Sequence, residues 1–234
     1  MSIEDQVKQL QQQVQALSHE VGRLQDANAV RHLQYTYGYY LDKCLYEEVV
    51  DLFAEDSEVR FMGGIYKGKE GVRRLYIGRF QTNFTGGVNG PIYGFLLDHP
   101  QLQMIVDVAP DGKTARMRGR SMMQAGRHES TTAAETVPRQ WWEGGIYENQ
   151  YVKEDGVWKI KVLNYNPFWH ADYETGWAHT RPEYVPMAGT TYPEDPNGPD
   201  ELIKPTPKLW PHTEVVPFHY SHPVTGKPWK GKDN

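Results

Sequence analysis

The feature that most constrains this chain is the order of its patterned segments. Helical periodicity comes first, and long strand-like runs joined by Asp-Gly turns come after it. The runs are His99–Val108, Thr114–Ala125, Trp142–Lys153 and Val157–Tyr165, with Asp111-Gly112 and Asp155-Gly156 supplying tight turns between paired strands. Strands joined by such short turns must run antiparallel, because a parallel neighbour needs a crossover of a dozen or more residues. Ahead of them the sequence predicts a helix over Ala27–Lys43, a short helix over Leu45–Phe53, a strand over Glu58–Phe61 and a turn or short strand over Tyr66–Gly68. A third helix follows Gly71 in GKEGVRRLYIGRF. Helices followed by a meander of antiparallel strands define an α+β fold.

Both ends differ from this middle. Ile3, Val7, Leu10, Val14, Leu17, Val21 and Leu24 alternate spacings of four and three, the seam of a coiled coil. Valine at a and leucine at d favour a parallel two-stranded pairing, and the Gln-rich flanks give little choice of partner by charge. At the other end, residues 166–234 hold 12 of the 16 prolines, with Trp, Phe, Tyr and His gathered between Trp210 and Trp229. That composition suits an extended arm lying on its own domain or on a neighbouring subunit. The expected organisation is a coiled-coil helix over 1–27, a domain over 28–165 and an arm over 166–234.

Net charge is −5 and the basic residues form no long run, which argues against a nucleic-acid partner. The N-terminus lacks an apolar signal core and no stretch reaches the length of a membrane span, so no membrane partner is expected. One cysteine, Cys44, fits a reducing compartment, and a cytoplasmic location is expected. Gly63–Lys69 matches part of a phosphate loop, but Glu70 stands where Ser or Thr should bind magnesium. No metal-ligand spacing and no nucleophile elbow occurs. On the strand carrying Arg116, Arg118 and Arg120, those arginines share one face, expected to meet solvent or another subunit. Ala115, Met117, Gly119, Ser121 and Met123 line the other, small and soft like a pocket wall. Buried filler is the default reading for Cys44. Asp42, near the end of a Tyr-rich helix, and His99, before a proline, are the remaining acid–base candidates.

From about Arg31 to Tyr165 the chain resembles the SnoaL-like members of the nuclear transport factor 2 (NTF2-like) superfamily. The residues that carry the resemblance are YGYYLDKCLYEEVVDLFAEDSEV, YKGKEGVRRL, LDHPQLQ and ENQYVKEDGVWKI. It implies a cone-shaped antiparallel sheet wrapped around a helix and enclosing one deep pocket. In family enzymes similar to scytalone dehydratase, an Asp from the first helix stands beside a His that begins a pocket strand. Asp42 and His99 match those places. Gly145 and Tyr147 match polar pocket positions, Phe61 matches a pocket tyrosine, and Gly119 occupies the place of a second histidine.

The tail, WHADYETGWAH and PFHYSHPVTGKPW, is similar to that of long SnoaL-like proteins, among them cofactor-free lyases of lignin-derived diarylpropanes. This narrower resemblance implies a small aromatic substrate and proton-transfer chemistry with no cofactor and no metal. Asp42 and His99 would then be the acid–base pair, with burial raising the Asp42 pKa. Tyr39 or Tyr147 would hydrogen-bond substrate oxygens. Tyr35, Phe61, Tyr66, Met117, Gly119, Trp142, Asn149 and Trp169 would line the pocket. The same pair would also suit a dehydratase or a ketosteroid-type isomerase, and an inert pocket would make the chain a binding module. Self-association is expected through the sheet face and the coiled coil.

Overall fold

A computed structural model describes residues 1–131, 139–181 and 184–231. Ile3–Asp42 forms a single 40-residue helix, α1, rather than a coiled-coil helix followed by a second one. Ser2 caps it, accepting from the Asp5 N–H at 3.1 Å while Asp5 reaches back to the Ser2 N–H at 3.0 Å. The seam residues from Ile3 to Leu24 are all exposed, and buried positions begin at Val30. Between the two regions, Asp26 Oδ1 accepts from Trp158 Nε1 at 2.9 Å and from Lys153 Nζ at 2.6 Å. The helix is thus already tied to the sheet one residue before the boundary expected at 27.

α2 (Tyr46–Asp51) and strands β1 (Phe53–Phe61) and β2 (Gly64–Lys67) follow. α3 (Gly68–Arg73) begins three residues ahead of the expected Gly71, continues through a wide π-helical stretch over Arg74–Gln81, and ends in α4 (Thr82–Thr85). Then come β3 (Phe95–Asp98), β4 (Gln101–Val108), β5 (Thr114–Arg127), β6 (Gln140–Glu154) and β7 (Val157–Asp172), with a two-residue β8 (Glu201–Leu202) in the arm. The strands form one curved, unclosed sheet in the order β3-β5-β6-β7-β1-β2-β8, with β4 beside β3 against β5. Only β1 and β7 run parallel among these pairs. Both residues of the Asp155-Gly156 turn take positive φ (49° and 82°), the backbone a two-residue hairpin requires.

The second half of α1 packs against the sheet through Val30, Gln34, Tyr37, Gly38 and Leu41, spaced by a helical repeat. Gly38 is needed there, since a Cβ would lie 2.6 Å from Gln101 Cγ. Val30, Tyr37 and Leu41 join Met117, Tyr147, Tyr151, Ile160 and Leu163 in one core. Cys44 is buried in it, with its thiol pKa raised by burial, the state of an inert filler.

β7 is seven residues longer than expected, and its extension carries an irregularity. Gly145 pairs with Pro167 while Gly144 pairs with Trp169, so Phe168 is an extra residue on β7. Such a bulge reverses which side chains face inward beyond it. Tyr165 faces the interior before the bulge and His170 after it.

The arm lies on its own domain. Met62 O accepts from the Ala188 N–H, Ile65 O from Asp200 and Gly63 O from Ile203, each at 2.8 Å. Arg74 pairs with Asp200 at 2.6 Å. Farther on, the chain's own arm crosses the arginine face expected to meet solvent or another subunit. Arg118 is buried, pairs with Glu148 at 2.7 Å, donates to Val216 O at 2.8 Å and lies under the Phe218 ring. Among the described residues no helix is long and apolar enough to cross a membrane.

Candidate active site

Between α1, the π-helical stretch, the sheet and the start of the arm lies a cavity of about 740 Å³. Its walls are aromatic: Tyr37, Phe61, Tyr76, Phe80, Phe84, Trp141, Tyr147 and Tyr165 all line it. Phe61 stacks on Tyr165 with ring centroids 6.0 Å apart, and Tyr147 meets Tyr165 at 4.8 Å. Burial raises the pKa of Tyr37 to about 12, and those of Tyr76, Tyr147 and Tyr165 well above the ordinary value. These phenols stay protonated and act as hydrogen-bonding groups.

One polar cluster centres on Glu143 of β6. Its side chain is buried and accepts from Tyr165 Oη at 2.6 Å, and Tyr165 Oη in turn accepts from Ser121 Oγ at 3.2 Å. On the paired strand, His170 Nε2 lies 3.5 Å from the other carboxylate oxygen. Desolvation dominates both groups, raising the Glu143 pKa to about 7 and lowering that of His170 to about 4. The dry surroundings therefore favour neutral His170, with Glu143 near the midpoint of its titration at neutral pH.

The other cluster centres on His99. Its Nε2 lies 3.3 Å from Tyr147 Oη, its Nδ1 is buried without a protein partner among the described residues, and burial lowers its pKa to about 4. The residue is clamped through its backbone. Asp42 Oδ1 accepts from the His99 N–H at 2.7 Å, and Gln101 Nε2 donates to the His99 carbonyl at 3.0 Å. Gln101 is itself held by Gln34 at 2.8 Å, and Gln34 Oε1 accepts from Tyr151 at 2.6 Å and Asn149 at 3.1 Å.

Of the residues picked from sequence, His99, Tyr147 and Phe61 line the cavity. Asp42 does reach His99, but its carboxylate binds the backbone N–H and makes no hydrogen bond to the ring. Its pKa is raised, chiefly by burial, in the expected direction. Tyr35 and Tyr39 are exposed, Tyr39 by 72 %, because the helical repeat turns Tyr37 inward instead. Tyr66 is buried behind the wall and accepts from Arg79 Nη1 at 3.0 Å. Met117 is buried where its sulfur covers Gly119, and neither borders the cavity. Asn149 belongs to the Gln34 network and accepts from the Asn164 N–H at 2.9 Å.

Trp142 and Trp169 face away from the cavity. Trp142 stacks on Tyr173, and Trp169 covers Gly144 and meets Trp177. Gly144 and Gly145 each leave room for one ring, Trp169 on one face and Tyr165 on the other. Glu143 and His170 were missed. Alternation from Tyr147 reaches Gly145, Glu143 and Trp141, so that strand carried a legible signal. His170 carried none, because it faces inward only through the bulge at Phe168. Among the described residues no group of three or more His, Cys, Asp or Glu could hold a metal ion.

The SnoaL-like domain model matches residues 22–164, more than half of the chain. The chain belongs to the SnoaL-like family. Solved structures agree on the fold. A candidate scytalone dehydratase of Novosphingobium aromaticivorans DSM 12444 is 21% identical, with a TM-score of 0.52 over 74% of this chain and 99% of its own. LinA is 17% identical, with a TM-score of 0.53 over the same shares. The hexachlorocyclohexane dehydrochlorinase LinA-type3 of Novosphingobium barchaimii LL02 is 19% identical, with a TM-score of 0.51 over 65% of this chain and 92% of its own. No curated protein matches the chain.

Proposed function

We propose that the protein is a cofactor-independent lyase acting on a phenolic diarylpropane-1,3-diol. The observation that carries this is Glu143, a buried carboxyl with its pKa raised to about 7 inside an aromatic cavity. A group at that pKa both gives and takes protons at neutral pH, which is what a two-step elimination asks of one residue. The size and aromatic lining of the cavity suit a two-ring substrate.

In the first step Glu143 protonates the benzylic hydroxyl. The C–O bond breaks and water leaves while the para-phenol gives its proton to solvent water, from which it is later returned, giving a quinone methide. Glu143, now a carboxylate, takes the proton of the neighbouring hydroxymethyl group. The C–C bond to that carbon breaks, formaldehyde leaves, and the electron pair passes through the new double bond into the quinone methide. The ring regains its aromaticity and, with one proton returned, its phenol. The sum is diol to stilbene, formaldehyde and water, with no change of oxidation state overall. His99 and Tyr147 serve as hydrogen-bonding groups toward substrate oxygens, since a histidine with so low a pKa is a poor carrier of positive charge.

The test is incubation of the protein with such a diol, following stilbene absorbance and formaldehyde together. Equal release supports the lyase. Water loss without formaldehyde would make the protein a dehydratase, and tight binding without change would make it a binding module.

A further inference from the structure

The reaction above uses one phenolic ring and the carbons beside it, and leaves a neighbouring pair of buried polar atoms of the cavity wall without work. They are Nδ1 of His170 and the hydroxyl of Tyr184, both without a hydrogen-bond partner among the described residues. Both residues line the cavity, and their rings lie 5.0 Å apart between centroids. Leaving two such atoms unpaired away from water is unfavourable, because neither regains the hydrogen bond it gave up on burial. Their hydrogen-bonding characters are complementary. When Glu143 is ionised, Nε2–H of a neutral His170 faces the carboxylate and Nδ1 is an acceptor, while the Tyr184 hydroxyl is a donor. Burial holds both in these states, keeping His170 neutral and raising the Tyr184 pKa to about 12.

One further aromatic surface flanks them. Trp141 stacks on His170 at 10° between planes, and Phe84 continues the stack at 30°. A flat apolar wall ending in an acceptor and a donor matches a phenol, whose hydroxyl gives one hydrogen bond and takes another.

We propose that His170 and Tyr184 form a subsite for the hydroxyl of a second phenolic ring, so that the protein selects ligands with two hydroxylated rings. Tyr184 lies beyond the segment that matches the family domain, so this half of the subsite is supplied by the arm of this chain. The proposal rests on the reading of the cavity as an aromatic-ligand site, and its test does not require turnover.

Two unreactive bibenzyls serve as probes, one with a para-hydroxyl on both rings and one with it on a single ring. Their binding to the full chain and to Tyr184→Phe is measured by calorimetry. The unaltered protein is expected to prefer the doubly hydroxylated probe by roughly fivefold or more, the scale of one well-made hydrogen bond. Tyr184→Phe is expected to bind both probes alike. Equal affinities in the unaltered protein, or an undiminished preference in the variant, would overturn the subsite. A preference abolished by Tyr184→Phe in a protein that releases no formaldehyde would keep the subsite and remove the lyase. Formaldehyde release without any preference would do the reverse.

Discussion

Tyr165 gives its phenolic hydrogen to Glu143 across 2.6 Å, inside the core and between neighbouring strands. The bond fixes one carboxylate oxygen and leaves the proton on the other free to move. Glu143→Gln keeps an acceptor for Tyr165 but cannot take up or release the proton. The expected outcome is a fall in kcat of roughly 100-fold or more, the scale of one lost acid–base group, with an unchanged far-ultraviolet circular dichroism spectrum. Near-normal turnover in this variant would remove Glu143 from the mechanism.

The same carboxyl sets a pH dependence whose sign can be worked out. Burial raises its pKa from 4.5 to about 7, so the folded state holds its proton longer than the unfolded chain. Its contribution to stability is full below about 4.5 and is lost as pH rises through about 7, a loss on the order of 3 kcal/mol. His99 and His170 act oppositely. Burial lowers each from 6.5 to about 4, so their contributions are full above 6.5 and are lost as pH falls toward 4. Comparing melting temperatures of the unaltered protein and Glu143→Gln isolates the carboxyl. The variant is expected to gain on the unaltered protein steadily from about pH 4.5 to 7, while kcat/KM of the unaltered protein falls above about pH 7 as the acid is lost.

How far the site was legible follows from the same strands. The Asp-Gly turns, the helices ahead of the strands and the family-like segments were enough for the fold, because each is local in sequence. The inward positions of β5 were also legible, since Ala115, Met117, Gly119, Ser121 and Met123 are all buried. Pattern reading broke down at two places. Phe168 shifts the parity of β7, which exchanges Trp169 for His170 at the cavity wall. On α1 the choice among Tyr35, Tyr37 and Tyr39 depends on which face meets the sheet, and that is decided by distant partners such as Gln101 and Tyr76. Tyr184 reaches the cavity from a Pro-rich arm with no period to read.

Asp42 separates a positioning role from a chemical one. Its carboxylate holds the His99 backbone N–H, and an asparagine oxygen can accept the same bond. Asp42→Asn is therefore expected to keep kcat within a few-fold. Asp42→Ala leaves a backbone donor unpaired and should lower stability by about 1–3 kcal/mol in chemical denaturation. A loss of roughly 100-fold in Asp42→Asn, with stability unchanged, would return Asp42 to the proton-transfer steps.

The seam of α1 makes a claim about assembly. Leu10 and Leu17 are 59 % and 66 % exposed in a single chain, on a helix that runs unbroken into the core. A heptad seam of this length is marginal by itself, so pairing with a second copy through it is proposed to add to another contact between the copies. Introducing Leu10→Asp and Leu17→Asp together should lower the solution mass or weaken its dependence on concentration in light scattering. An oligomer of unchanged mass and affinity would show that the seam is not the contact.

The far end of the arm is latched by His219. Its Nδ1 lies 2.9 Å from Glu148 and its Nε2 3.0 Å from Asp107, so one ring joins β4 and β6 to the arm. Phe218, next to it, covers the guanidinium of Arg118 at 4.0 Å. Truncation to His219→Ala removes both bonds and leaves the Arg118–Glu148 pair more open to water. Little of the core is touched, so the melting temperature should move little, whereas exchange of the arm's backbone hydrogens should quicken. Hydrogen exchange read by mass spectrometry is expected to show faster labelling over residues 210–231, with β5 and β6 unchanged around Ser121 and Glu143. Loss of protection spreading to those strands would mean that the arm stabilises the cavity wall as well as covering the outer face.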